Sequence, residues 1–149
     1  MLAKIDQLPL LSLLFENISI PPAVYRELMA KRGAESQRLD AAFNQYIDIT
    51  REPDLSASVR VVTQHLDAGE QQAIALAHNS STLLVIDERL GRQAARQIGL
   101  TITGSVGLLV RAKKLGHLSA VAPLLQQARQ QGYWLSDDLI TTATRLAGE

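Results

Sequence analysis

The stretch LDAGEQQAIALAHNSSTLLVIDERLGR, residues 66 to 92, leaves few options for the backbone. Asp67 is placed to cap a helix with Glu70 three residues on, and the apolar run from Ala73 to Ala77 continues that helix until Asn79 and two serines end it. Thr82 to Ile86 follows as a short, almost wholly apolar strand of the type buried in parallel sheets. In a right-handed strand-helix-strand unit the helix descends from the edge where the next strand ends. The first turn of the helix and the end of the strand therefore meet, bringing Glu70 and Asp87 to one edge of a sheet. Open α/β sheets bind ligands at that edge.

The rest of the chain alternates in the same way. A helix is expected from about Gln7 to Phe15, a strand from Asn17 to Ile20, and a second helix opened by Pro21 and Pro22, where a missing N–H costs nothing, with Gly33 as a stop. Residues 34 to 45 read as a weakly patterned helix, Tyr46 to Thr50 as a strand and Arg51 to Ser58 as a loop; Val59 to His65 fits helix or strand equally. Beyond the central unit the pattern predicts a helix over Arg89–Gln97, a strand over Leu100–Ile102 and a helix over Ser105–Lys114. Two further helices, Ser119–Gln131 and Ser136–Leu146, flank an edge strand at Tyr133–Leu135, and Trp134 is expected in the core or an interface. Strands separated by helices of this size predict a three-layer α/β/α domain with a largely parallel sheet.

A chain of 149 residues, 46% hydrophobic, suffices for one sizeable core and is short for two. The absence of cysteine excludes a disulfide framework or thiolate metal site and fits a reducing compartment. No apolar run reaches a membrane span and no signal-peptide pattern opens the chain, so a cytoplasmic protein is expected. The zero net charge conceals an asymmetry. Residues 1 to 88 hold 12 acids and 7 bases, net −5, whereas residues 89 to 136 hold 7 bases and no acid. A basic segment after an acidic edge suits a protein that grips a phosphodiester beside carboxylates, although a solvated helix face explains the same charges.

The stretches IPPAVYREL (20 to 28), LDAGEQQAIALA (66 to 77), LLVIDERLGRQAARQIGLTITGSVGLLVRAKKLG (83 to 116) and GYWLSDDLI (132 to 140) resemble a bacterial and archaeal branch of the PIN-domain family over nearly the whole chain. The resemblance implies a metal-dependent nuclease acting on single-stranded RNA. Many small members are toxins of type II toxin-antitoxin modules, held inactive by a small antitoxin protein. By position, Glu27, Glu70 and Asp87 resemble three of the family's four acids and are the implied catalytic and metal-binding residues for Mg²⁺ or Mn²⁺. Arg89 and Arg92, just beyond Asp87, are the implied nucleic-acid contacts. The fourth acid ends a first strand that the pattern places before MLAKIDQL, so residues 1 to 149 are expected to form a single PIN-like domain shortened at its N-terminus; Asp6 lies past the position it would need. A late start codon, a shortened chain and a variant that has lost catalysis all explain this. The alternative function is accordingly a degenerate PIN-like interaction module, serving as a homodimer subunit or an antitoxin-binding partner.

Each residue also has a plainer reading. Glu70 completes a capping box with Asp67, Glu27 sits on a helix surface, and Asp87 caps a following helix. Thr103-Gly104-Ser105 reads as a tight turn capped by Ser105 more readily than as a phosphate cradle, because the chain has neither GxGxxG nor a Walker loop. His65, His78 and His117 are too scattered for a metal or catalytic constellation.

Overall fold

The computed structural model describes residues 1–31 and 33–149. In chain order the elements are α1 (Leu10–Leu14), β1 (Ser19–Ile20), α2 (Pro22–Ala30), α3 (Ser36–Gln45), β2 (Asp48–Ile49), α4 (Ala57–Thr63), α5 (Ala68–Ser80), β3 (Leu84–Val85), α6 (Arg89–Gln97), β4 (Ile102–Thr103), α7 (Ser105–Lys114), α8 (Ala122–Gln130) and α9 (Asp137–Ala147). The mixture is the expected α/β one, and both strand pairings are parallel. β1 pairs with β2 in the register Ser19–Asp48 and Ile20–Ile49; β3 pairs with β4 in the register Leu84–Ile102 and Val85–Thr103. The sheet is divided, however. The two ladders have two strands each, and no strand among the described residues joins them.

Local chemistry explains most boundaries. Pro22 opens α2 at its first residue. Ser56 caps α4 by accepting the Val59 N–H, which resolves the ambiguous segment 59–65 in favour of helix. The Asp67–Glu70 capping box forms as expected at the start of α5. At its end Ser81 adopts the left-handed conformation, φ 52°, and the Thr82 N–H returns to the Ala77 carbonyl, closing the helix as glycine ordinarily does. Tyr133–Leu135 forms no strand, and Trp134, 88% exposed, lies outside the core.

Two clusters of buried side chains result. One gathers Ile5, Leu39, Leu108, Leu109, Val121 and Leu125, with Ile20 of β1 and Leu28 and Met29 of α2 packed on it. The other gathers Val59, Ile74, Leu84, Ile86, Ala94 and Ala95 from α4, α5, α6 and the end of β3. The helix pairs α2–α5 and α7–α9 pack closely, and the first of these links the clusters.

Candidate carboxylate site at the junction of the two cores

α2 and α5 cap one another. The first-turn Ala23 N–H of α2 donates to the Oε1 of Gln72 on α5 at 2.9 Å, and the Gly69 N–H in the first turn of α5 donates to the Oε1 of Glu27 on α2 at 3.1 Å. Both bonds satisfy helix-start donors that have no partner within their own helix. Gln72 is 6% exposed, and its Nε2 donates to Glu52 Oε1 at 3.0 Å, so its amide is fixed at both ends. Glu27 is thereby directed at the start of α5, close enough for its charge to be felt by Glu70.

Glu70 serves both readings at once. Its amide donates to Asp67 Oδ1 at 2.8 Å, and its Oε2 accepts the Asp67 N–H over a long 3.4 Å. Its Oε1 faces α6 where Gly91 passes; a Cβ at Gly91 would stand 2.9 Å from that oxygen and 2.4 Å from Ile86 Cδ1. Burial pushes the Glu70 carboxyl above its ordinary range, and the charge of Asp67 adds to this. The Asp67 amide pulls the other way, and Glu88 and Glu27 contribute smaller upward pushes.

Asp87 follows β3 and reaches α7. Its Oδ1 accepts the Ser105 N–H at 2.7 Å, and its Oδ2 accepts the Ser105 hydroxyl at 2.6 Å. Gly104, the residue before α7, has no side chain to cap the helix, so Asp87 does so from another element. Ser105 is therefore held by the cap rather than forming it, and a carboxylate already fills the place a phosphate would take in the Thr103–Ser105 turn. The Arg92 guanidinium lies alongside: its Nη1 donates to the Ile86 carbonyl at 2.8 Å. A Cβ at Gly104 would meet both this nitrogen, at 3.1 Å, and Asp87 Oδ1, at 2.9 Å. Arg89 is exposed at the first position of α6.

All three sequence candidates thus contact a helix N-terminus, and each has a glycine against its carboxylate: Gly69 beside Glu27, Gly91 beside Glu70, Gly104 beside Asp87. Glu27 and Glu70 come together, while Asp87 is drawn to Ser105. Gln72, Gly69 and Gly91 were not singled out by sequence, and Gly104 and Ser105 were read as a tight turn rather than as the groups that hold Asp87. The Gly69-Glu70 and Gly104-Ser105 dipeptides carried a faint signal of close approach. Tyr133 is a further neighbour; burial raises its phenol pKa, and the charges of Asp87 and Glu35 reinforce the shift.

Among the described residues no group of three His, Cys, Asp or Glu side chains is arranged to hold a metal ion. The Glu27–Glu70 pair nevertheless suits a hard divalent cation. Mg²⁺ commonly takes only one or two carboxylates directly and keeps water for its other positions, and a cation relieves the crowding of negative charge around Glu70.

The family model described as a PIN domain matches residues 1–149. No curated protein and no solved structure gives a match. PIN domains are generally dependent on divalent metals and carry a nuclease-type function on nucleic acid. No helix among the described residues is long and apolar enough to cross a membrane.

Proposed function

The chain belongs to the PIN-domain family, and on that premise we propose that it is a metal-dependent endonuclease for single-stranded RNA, the toxin of a type II toxin-antitoxin module working in the cytoplasm as one domain. The meeting of Glu27 and Glu70 at the start of α5 carries this reading. These two carboxylates would hold Mg²⁺ or Mn²⁺, with Asp87 contributing from the Ser105 side. When bound, the cation supplies electrostatic polarisation of the phosphoryl group.

The chain's own residues supply the rest. Arg92 is oriented by the Ile86 carbonyl through one nitrogen, which leaves the others for a phosphate oxygen, and exposed Arg89 extends that contact along α6. Glu70 Oε1, the oxygen not tied to the Asp67 amide, is the atom left to hold the cation or a water carried by it. Ser105 keeps the Asp87 carboxylate from swinging.

A second reading, the interaction module without turnover that pairs with itself or an antitoxin, is favoured by one observation: both Asp87 oxygens already have partners. Titration with Mn²⁺ separates the two. Added Mn²⁺ should raise the unfolding temperature and support RNA cleavage that Asp87→Asn abolishes; if it does neither, the nuclease assignment fails. Co-purification with the product of a small adjacent reading frame tests the toxin assignment independently.

A further inference from the structure

Beside the first turn of α5 lies a cavity of ≈ 540 Å³ whose lining includes Glu52, Asp54, Leu55, Arg60, Gln71 and Gln72, together with Ala68. Its volume falls within the range of small-ligand pockets. A second hollow of ≈ 310 Å³ shares Leu55, Arg60 and Gln71 and extends the groove past Val61. The walls are fixed. Gln71 Nε2 donates to the Thr63 and Leu66 carbonyls at 3.1 and 2.9 Å, and Arg60 Nε donates to the Leu55 carbonyl at 2.9 Å. Glu52 Oε1 accepts from Gln72 at 3.0 Å. Glu52 Oε2 and both terminal nitrogens of Arg60 make no hydrogen bond among the described residues, and both side chains belong to the cavity lining.

We infer that this cavity is a base-recognition pocket for guanine in the RNA substrate, deepening the nuclease reading on which it rests. A carboxylate accepts from guanine N1–H and N2–H, and a guanidinium donates to its O6 and N7. Glu52 and Arg60 offer these two complements in the lining of one cavity. Adenine places an N1 lone pair against the carboxylate and an N6 amino group against the guanidinium, so it is opposed at both edges. Leu55 and Val61, the latter 68% exposed, supply apolar surface for the ring face. The position fits a nucleotide beside the scissile bond. Ala68, Gln71 and Gln72 line the pocket, while Gly69 and Glu70, between them in the same turn of α5, face the carboxylate edge.

The test uses the whole chain and separates this inference from the nuclease reading. Nucleoside 5′-monophosphates are titrated without metal and followed by amide NMR shifts, and RNA oligomers differing in one guanosine are cleaved with Mn²⁺. GMP should bind roughly tenfold or more tighter than AMP, CMP or UMP, the lower end of what a bidentate base contact gives, and shift the amides of Glu52, of residues 54 to 60 and of residues 71 to 72. Arg60→Lys, which keeps the charge and loses the fork, and Glu52→Gln should each abolish the preference while leaving the Mn²⁺ effect on unfolding unchanged. Equal binding of the four nucleotides, or shifts elsewhere, together with cleavage indifferent to guanosine, overturns the pocket and leaves the nuclease standing. Selective GMP binding without cleavage upholds the pocket and counts against the nuclease.

Discussion

Gly69→Ala should separate stability from function. The new Cβ would stand 2.5 Å from Glu27 Oε1 and 2.9 Å from its Cδ and Oε2. These atoms are the far end of a flexible, exposed side chain, so Glu27 moves and the backbone does not. The bond from the Gly69 N–H is then lost, at a cost of about 1 kcal/mol provided the displaced Glu27 side chain opens the buried amide to water. Alanine in a helix returns about 0.5–1 kcal/mol over glycine. The two nearly cancel, and at about 2–4 °C per kcal/mol for a chain of this size the unfolding temperature should move by no more than about 2 °C. The response to cation should change far more. At a hundred times its dissociation constant a ligand adds about 2.7 kcal/mol, and a tenfold weaker site forfeits about 1.4 kcal/mol of that, or about 3–5 °C of the Mn²⁺-induced shift. Scanning calorimetry with and without Mn²⁺ measures both quantities, with Glu27→Gln as a control that keeps an acceptor for Gly69 and loses the charge. An Mn²⁺ shift equal to that of the unsubstituted chain refutes the reasoning, and so does a loss above about 3 kcal/mol, since the clash would then have passed into the backbone.

Ser105→Ala removes the 2.6 Å bond to Asp87 Oδ2 and should cost about 1–2 kcal/mol, seen as a lower unfolding temperature together with slower RNA cleavage; an unchanged chain argues against Ser105 as the Asp87 anchor. Glu70→Gln tests the raised carboxyl pKa. A group whose pKa is higher folded than unfolded gives stability that is present below its unfolded pKa and lost as pH rises through the folded one. Without metal the glutamine variant should therefore unfold at a higher temperature near pH 7, with the difference closing towards pH 4; a difference that ignores pH contradicts the assignment. Ser81→Gly relieves a left-handed serine at the end of α5 and should add about 0.5–1 kcal/mol, measured by urea unfolding, without touching cleavage.

The sequence disclosed those features that rest on neighbours a few residues apart. α6 and α7 run over the expected residues because Gly99, Gly104 and Gly116 punctuate them, and the Asp67–Glu70 box formed as read. α4 was ambiguous because Val59, Val61, Val62 and Thr63 are β-branched and suit a strand equally well; burial of Val59 and the Ser56 cap decide for helix. Tyr133–Leu135 has strand composition but no ladder beside it. At the site, Glu70 and Asp87 could be read from their positions relative to a helix start and a strand end, whereas Glu27 rested on the family resemblance alone. The groups that aim them could not, since Gln72 and Ser105 act on residues 49 and 18 positions away, a proximity that only the packed fold creates.

The divided sheet has a consequence for motion. Glu27 rides on a helix packed against the first core and bonds to Gly69 in the second, while Asp87 follows a strand of the second core and bonds to Ser105 in a helix of the first. With no strand among the described residues bridging the ladders, these polar contacts and the α2–α5 packing join the two cores, and native-state hydrogen exchange is expected to show the cores opening as separate units. Amides of Ile74 and Ala95 should then exchange on a different free-energy scale from those of Leu109 and Leu125. A ligand seated across the edge couples the two scales into one, so tight binding there and rigidity of the whole chain become the same quantity.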